Sequence, residues 1–351
     1  MELKKLGENL RQIRKQRQLT LQELSEQSGI PLNTLGRIER GQNWPSVQWI
    51  SKLSDALEVP VNALFQEEPK PIIHYRGEKK LSPRLKQETE TIISFYSRLE
   101  DMCGAQKYHS FPLDIPLYQF SMSDIEEAAN QTRELLGIGH AIVFDLIHLL
   151  ESSGLRVIVR NMPQEITGFS YFSPRSKSIN FFLNSKDTAE RKIFTLAHEL
   201  GHVIFHQGGA KYLVYQPCLS EEDLERSARY FASCFLMPEK TVRSTVRQLG
   251  IGLSNWNFDL LISIKSRFSV SAQAFLQRLS ELDLIQKKQK ESMESEIRFH
   301  YGQTNYREPG PGIHLRENQR LKDMLLIAAH SPVDSIEAKT MEKELTRLGV
   351  I

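Results

Sequence analysis

The sequence predicts a mainly helical protein, with a bundle of five short helices at its amino end and a small α+β domain in its second quarter and middle. Three observations carry that reading. Residues 6–65 divide into five amphipathic segments with start and stop signals between them. Two β-rich runs, Gly168–Ser173 and Ser178–Asn184, flank a turn-like Pro-Arg-Ser-Lys. A long helical stretch, RKIFTLAHELGHVIFH over residues 191–206, follows them directly.

The amino-terminal elements can be justified in order. Leu6, Leu10 and Ile13 form the apolar stripe of the first helix. Thr20 is placed to cap the second, with Glu23 three residues on as its capping-box partner. Gly29 ends that helix, and Pro31 helps begin a third that runs to Arg40 and stops at Gly41. Ser46 caps a fourth, with Val47, Ile50, Leu53 and Leu57 inward, and Val61–Phe65 closes the bundle.

Leu21-Gln-Glu-Leu-Ser-Glu-Gln-Ser-Gly29-Ile30, Thr34-Leu-Gly-Arg-Ile-Glu-Arg-Gly41 and Pro45 together resemble the Xre/lambda-repressor-like helix-turn-helix family over essentially the whole module. The resemblance implies a five-helix lambda-repressor-like bundle whose third helix enters the major groove of a double-stranded operator. Asn33, Thr34 and Arg37 are then the base-reading candidates, with Gln22 near the backbone. Arg11, Arg14, Lys15 and Arg17 are assigned to phosphates. The competing reading is a bundle that recruits a protein and leaves its basic residues in solvent. Gly36 inside the third helix departs from the common pattern, at a cost of roughly 1 kcal/mol relative to alanine.

Glu67–Pro71 is charged and proline-rich and marks the exit from the module. Pro83–Leu99 reads as a helix, and two prolines break the pattern in Phe111–Pro116. Residues 72–120 are expected to be a connecting helical segment able to pair two copies into a homodimer. Ser123 is placed as the cap of a helix to Leu136, Ile142–Ser152 as a second helix, and Leu155–Arg160 as a strand. Helices, strands and then a helix imply an α+β domain rather than a doubly wound one.

His198-Glu199-Leu200-Gly201-His202 is the motif that carries chemistry. Residues four apart share a helix face, so both imidazoles can reach one metal ion, and Glu199 between them is placed to accept a proton from water. Ile193, Leu196, Ala197, Leu200 and Ile204 form an apolar stripe that puts both histidines on the opposite face. The plain alternative is a pair of histidines with no ligand role. A catalytic zinc needs a third protein ligand. His206 cannot join from position i+8 on a straight helix, and a metzincin extension fails because Phe205 and Gly208 occupy its glycine and histidine positions. Glu225, on the next amphipathic helix (SEEDLERSARYFASCFLMP), can turn toward the first; Glu221, Glu222 and Asp223 compete as first-turn acids.

Glu190-Arg191…Phe194-Thr-Leu-Ala-His198-Glu-Leu-Gly-His202, then Glu225…Ala228…Phe231-Ala232…Leu236-Met237-Pro238, resembles the ImmA/IrrE metallopeptidase family. Arg133-Glu-Leu-Leu-Gly-Ile-Gly, Leu149-Leu-Glu-Ser-Ser-Gly-Leu-Arg-Val and the stretch from Phe268 to Leu279 are similar too, so the likeness spans about residues 124–280. It implies a zincin-like fold, a Zn2+ held by His198, His202 and Glu225, and peptide hydrolysis with Glu199 as general base. Ser227 and Arg229 stand where many relatives have Glu and Asn. Neither Thr195 nor Tyr230 is assigned as an oxyanion donor.

Composition bounds the rest. The 351 residues allow two or three domains, and a net charge of +2 argues against wholesale electrostatic binding of nucleic acid. Met1–Leu10 lacks an apolar signal core, and no run approaches the roughly 18 apolar residues of a membrane span, so no membrane partner and a cytoplasmic location are expected. Cys103, Cys218 and Cys234 are odd in number and lack CxxC spacing. Gln286–Glu296 reads as an exposed charged helix or linker, 308–312 as a loop, and Leu315–His330 and Glu337–Leu348 as helices. The expected domains are 1–68 (helix-turn-helix), 69–120 (linker and connecting helix), 121–280 (metallopeptidase-like) and 281–351 (helical extension). Two functions follow. One is a zinc endopeptidase, brought to DNA by its own module, that cuts a protein partner of repressor type. The other is a transcription factor or antitoxin-type regulator whose metal domain senses or scaffolds.

Overall fold

The computed structural model describes residues 3–17, 19–59, 61–65, 72–75, 81–105, 121–173, 176, 178–207, 220–301, 308, 313–331 and 334–351. The expected breaks at 67–71 and 111–116, most of the 174–177 turn, residues 309–312, Cys218 and the His206 side chain lie outside the described residues. The chain divides into two compact units, Met1–Lys70 and Pro71–Ile351.

The first unit contains α1 (Leu3–Gln16), α2 (Leu21–Ser28), α3 (Leu32–Glu39), α4 (Val47–Ala56) and α5 (Val61–Phe65). The Thr20–Glu23 capping box forms as expected, and Gly29 ends α2 in the left-handed conformation at φ 65°. Ser46 caps α4 through the Trp49 amide. Leu6, Leu10, Leu24, Leu35, Ile38, Leu53, Leu57 and Leu64 form the core. Val47, expected inward, is 83% exposed. It is the first residue after the cap, and the neighbouring Pro45 is buried instead.

The second unit is organised by a four-stranded sheet of order β1-β3-β4-β2, comprising β1 (Ile72–Tyr75), β2 (Arg156–Arg160), β3 (Gly168–Ser173) and β4 (Ser178–Asn184). β1 and β4 each run antiparallel to β3, and β2 runs parallel to β4. Side-chain alternation sorts the strands onto two cores. Val157, Val159, Phe181 and Leu183 join one; Ile158, Phe169, Tyr171 and Phe182 join the other.

The first core is covered by α7 (Met122–Leu135), α8 (Leu146–Ser152), α9 (Ala189–Gln207), α10 (Glu221–Leu236), α11 (Glu239–Gln248), α12 (Phe258–Lys265), α13 (Ala272–Glu281) and α14 (Lys287–Tyr301). The second is covered by α6 (Pro83–Met102), α15 (Gln319–Ala329) and α16 (Ser335–Arg347). Residues that had no role in sequence, on both sides of the central segment, thus meet on the far face of its sheet.

The starts of α7 and α8 are among the boundaries that differ from expectation. Ser121, not Ser123, caps α7, because its hydroxyl accepts from the Asp124 amide while Asp124 accepts from the Ser121 amide. α8 begins at Leu146 rather than Ile142, since the Asp145 carboxylate caps it through the His148 amide. The charged α14 is anchored by buried Met293 and Ile297.

Candidate metal centre

α9 does not present its histidines from an open face. His198, Glu199 and His202 are 1%, 0% and 3% exposed, as deeply buried as Leu196, Ala197 and Leu200 on the expected stripe. α10 and β3 pack on the helix and cover its polar side. Two glycines allow this approach. A Cβ on Gly168 of β3 would lie 2.6 Å from Thr195 Cγ2. A Cβ on Gly201 would lie 3.2 Å from Ala228 Cα and 3.0 Å from the Phe231 ring. Ala228 is one turn beyond Glu225, so the close contact of α9 and α10 delivers that carboxylate to the histidine pair.

The three donor groups converge, with ligand atoms within 4.8 Å of one another. His198 Nε2 and His202 Nε2 are 3.0 Å apart, and the rings meet edge-on at 84°. Glu225 places one oxygen 3.0 Å from His202 Nε2 and the other 3.3 Å from His198 Nε2. Metal bonds of about 2.0–2.2 Å in a tetrahedral site require donor separations of roughly 3.3–3.5 Å, and the nitrogen pair and each nitrogen with its nearer carboxylate oxygen lie close to that spacing. Burial pushes the Glu225 carboxyl up, but hydrogen bonds and charge from His198 and His202 outweigh it and hold it well below the usual range. Glu225 is the most exposed of the three, its side chain at 36%.

Two of the competing acids lie elsewhere, and the Glu221 side chain is outside the described residues. Asp223 accepts from Ser220 at the start of α10, and Glu222 is exposed beside Arg226. Arg229 is exposed, and Ser227 donates back to the Asp223 carbonyl. Tyr230 donates to Glu126 at 3.3 Å. Cys234 is buried, and burial pushes its thiol up to about 12, so it stays protonated and offers no thiolate.

The surrounding frame depends on buried cations. Arg133 donates to the carbonyls of Gly139 (2.6 Å), Ala141 and Phe235, tying α7 to the end of α10. Burial lowers its pKa only to about 10, so it remains charged at neutral pH. Lys192 of α9 pairs with Glu317, and Lys265 with Glu308 and Glu190. Sequence reasoning missed both lysines, because their partners Glu317 and Glu308 are far away in the chain and leave no local signal.

In the first unit, Asn33 and Arg37 are exposed on α3, Thr34 is half-buried, and Gln22 is exposed on α2, donating to Glu26 at 3.2 Å. Gly36 has ordinary contact room toward Leu21 and Arg40. Arg11, Lys15 and Arg17 are exposed, whereas Arg14, another of the expected phosphate contacts, is committed internally. Arg14 grips Glu39 with two hydrogen bonds of 2.6 and 3.0 Å and donates a third to the Leu19 carbonyl, and Arg17 pairs with Glu58. Arg14 therefore bolts α1 to α3.

Fold and site together define a helix-turn-helix regulator module joined to a metallopeptidase-like domain. Residues 10–64 match the helix-turn-helix family, and residues 150–280 match the Peptidase_M78 family, described as an IrrE N-terminal-like domain. The HTH-type transcriptional regulator SinR of Bacillus subtilis is 38% identical over 63 residues, 18% of this chain and 57% of SinR. The HTH-type transcriptional repressor RghR of the same species is 36% identical over 64 residues, 18% of this chain and 47% of RghR. The chain thus spans about half the length of these relatives. Among solved structures, the restriction-modification controller protein C.AhdI of Aeromonas hydrophila is 36% identical over 18% of this chain and 96% of its own, with a TM-score of 0.18. A Mycobacterium tuberculosis transcriptional regulator is 20% identical over 55% of this chain and 52% of its own, with a TM-score of 0.33. No described helix is long and apolar enough to cross a membrane.

Proposed function

We propose that this chain is a cytoplasmic, DNA-binding regulator whose metal domain is a zinc endopeptidase acting on a protein partner, in particular a repressor. Residues 1–68 would read a duplex operator through Asn33, Thr34 and Arg37, with Gln22 at the backbone. Residues 121–280 would carry the peptidase. The observation that supports the chemistry is the convergence of His198, His202 and Glu225 with Glu199 on the same helix.

His198 and His202 would hold zinc through Nε2, and Glu225 through a carboxylate oxygen. Zinc held there supplies Lewis acidity toward the scissile carbonyl and toward water. Glu199 takes the proton of the attacking water as the new C–O bond forms. It returns that proton to the amine nitrogen as the C–N bond breaks.

A comparison of cellular protein amino-termini, wild type against Glu199→Gln, tests this reading. A new terminus inside a repressor, present only with Glu199, is the expected result. Its absence while transcription still responds would favour a second reading, in which the metal domain is a sensor or scaffold. The near-complete burial of Glu199 is the observation on that side.

A further inference from the structure

A second cleft lies where the parallel pair β2 and β4 ends, the end of a parallel pair at which open α/β sheets commonly bind ligands. It has a volume of about 420 Å3, within the range of small-ligand sites. Four segments remote in sequence build it: the first turn of α6, the residues after β2, Lys186 after β4, and the chain just beyond α16.

Its lining is cationic. Arg84, Arg160, Lys186 and Arg347 face one carboxylate, Glu88, an excess of three positive charges. Glu344, which pairs with Arg347, reduces the excess to two. Arg160 is the unusual member, because its side chain is only 5% exposed. It donates to Glu88 through Nη2 at 2.7 Å, while its buried Nε and Nη1 have no partner among the described residues. Glu88 is shared, since it also accepts from Arg84 at 2.9 Å. A buried guanidinium half-satisfied by a shared carboxylate leaves positive potential in a place where solvent screens it poorly. The amino end of α6, capped by Ser82, adds its helix dipole with the same sign.

We propose that this cleft binds the phosphoryl group of a small phosphorylated molecule. A phosphate monoester carries about −1.5 to −2 at neutral pH and matches the excess of two, which a single carboxylate does not. Arg160 supplies the fixed charge, and the exposed Lys186 and Arg347 close on the oxygens from the rim.

The test is calorimetric titration of the full chain with inorganic phosphate, then with glycerol phosphate, at constant ionic strength. Lys186→Ala/Arg347→Ala is the main variant, because both side chains are exposed and their removal leaves the core intact; Arg160→Lys is the second. Saturable binding is expected for the wild type, weakened at least tenfold in the double variant with an unchanged melting temperature, and weakened also by Arg160→Lys. No saturable heat, or equal binding by wild type and double variant, overturns the proposal. A parallel titration with duplex DNA separates the sources of phosphate. If the double variant loses DNA affinity rather than glycerol phosphate affinity, the small-molecule assignment is wrong.

Discussion

Gly201 of α9 lies against Ala228 of α10 so closely that an added Cβ would sit 3.2 Å from the Ala228 Cα. The contact is one residue from His202 and one turn from Glu225. The spacing of the two helices at this point therefore sets the distance between the nitrogen donors and the carboxylate.

Gly201→Ala should push α10 outward at the metal centre. Overpacking of this kind costs about 1–3 kcal/mol. Zinc affinity should fall by about tenfold or more, as when the groups that position a ligand are disturbed. Competition with a chromophoric chelator, alongside a thermal melt, measures both. Unchanged affinity would show that the helix contact does not set the site.

Glu225→Ala should weaken zinc binding by more than about 100-fold, beyond the loss typical of a supporting residue. Glu222→Ala, three residues earlier and exposed, should leave it unchanged. Full zinc occupancy in Glu225→Ala would remove Glu225 from the ligand set. Glu199→Gln, by contrast, should retain the metal while losing hydrolysis.

Arg37→Ala should cost about 1–3 kcal/mol in binding to a DNA fragment that the wild type recognises, with metal content unaltered. Arg14→Ala should lower the stability of the first unit, because Arg14 holds Glu39 and the Leu19 carbonyl together. Gel-shift titration and denaturant melting distinguish the two effects. Equal DNA affinity for Arg37→Ala and the wild type would remove Arg37 from the reading helix.

Glu151 supplies a pH dependence. Burial raises its carboxyl to about 7, against weaker opposition from the Arg320 charge and backbone amide, with Asp145 and Asp323 adding to the rise. The folded state therefore binds the proton more tightly than the unfolded one. This contribution to stability is full below the unfolded pKa near 4.5 and declines as pH rises through about 7. Between pH 5 and 8 the loss should be on the order of 3 kcal/mol, and Glu151→Gln should flatten it. Denaturant melts across that range provide the measurement; a slope that persists in Glu151→Gln would locate the effect elsewhere.

Much of the fold was legible from short-range pattern. The capping box at Thr20 and Glu23, the helix ends at Gly29 and Ser46, and the strands Gly168–Ser173 and Ser178–Asn184 stand where the sequence put them. Each depends on hydrogen bonds or periodicity within a few residues. α7 starts two residues before the expected position because Ser121 and Ser123 are both competent caps, and only Ser121 forms the reciprocal bond with Asp124.

By itself, then, the sequence determined the helix-turn-helix pattern and the i, i+4 histidine pair with Glu199 between them, since helix geometry places those groups whatever surrounds them. The tertiary structure alone decided that the histidine face is buried rather than open, because α10 and β3 close over it through Gly201 and Gly168. It also decided that Glu225 converges on the histidines while Glu222 and Asp223 do not, and that Arg14 is a bolt rather than a free cation. The same holds for the covering of the sheet's far face by α6, α15 and α16. These outcomes depend on apolar surface and buried charge finding complements up to hundreds of residues away, and no local period in the chain encodes such a partner.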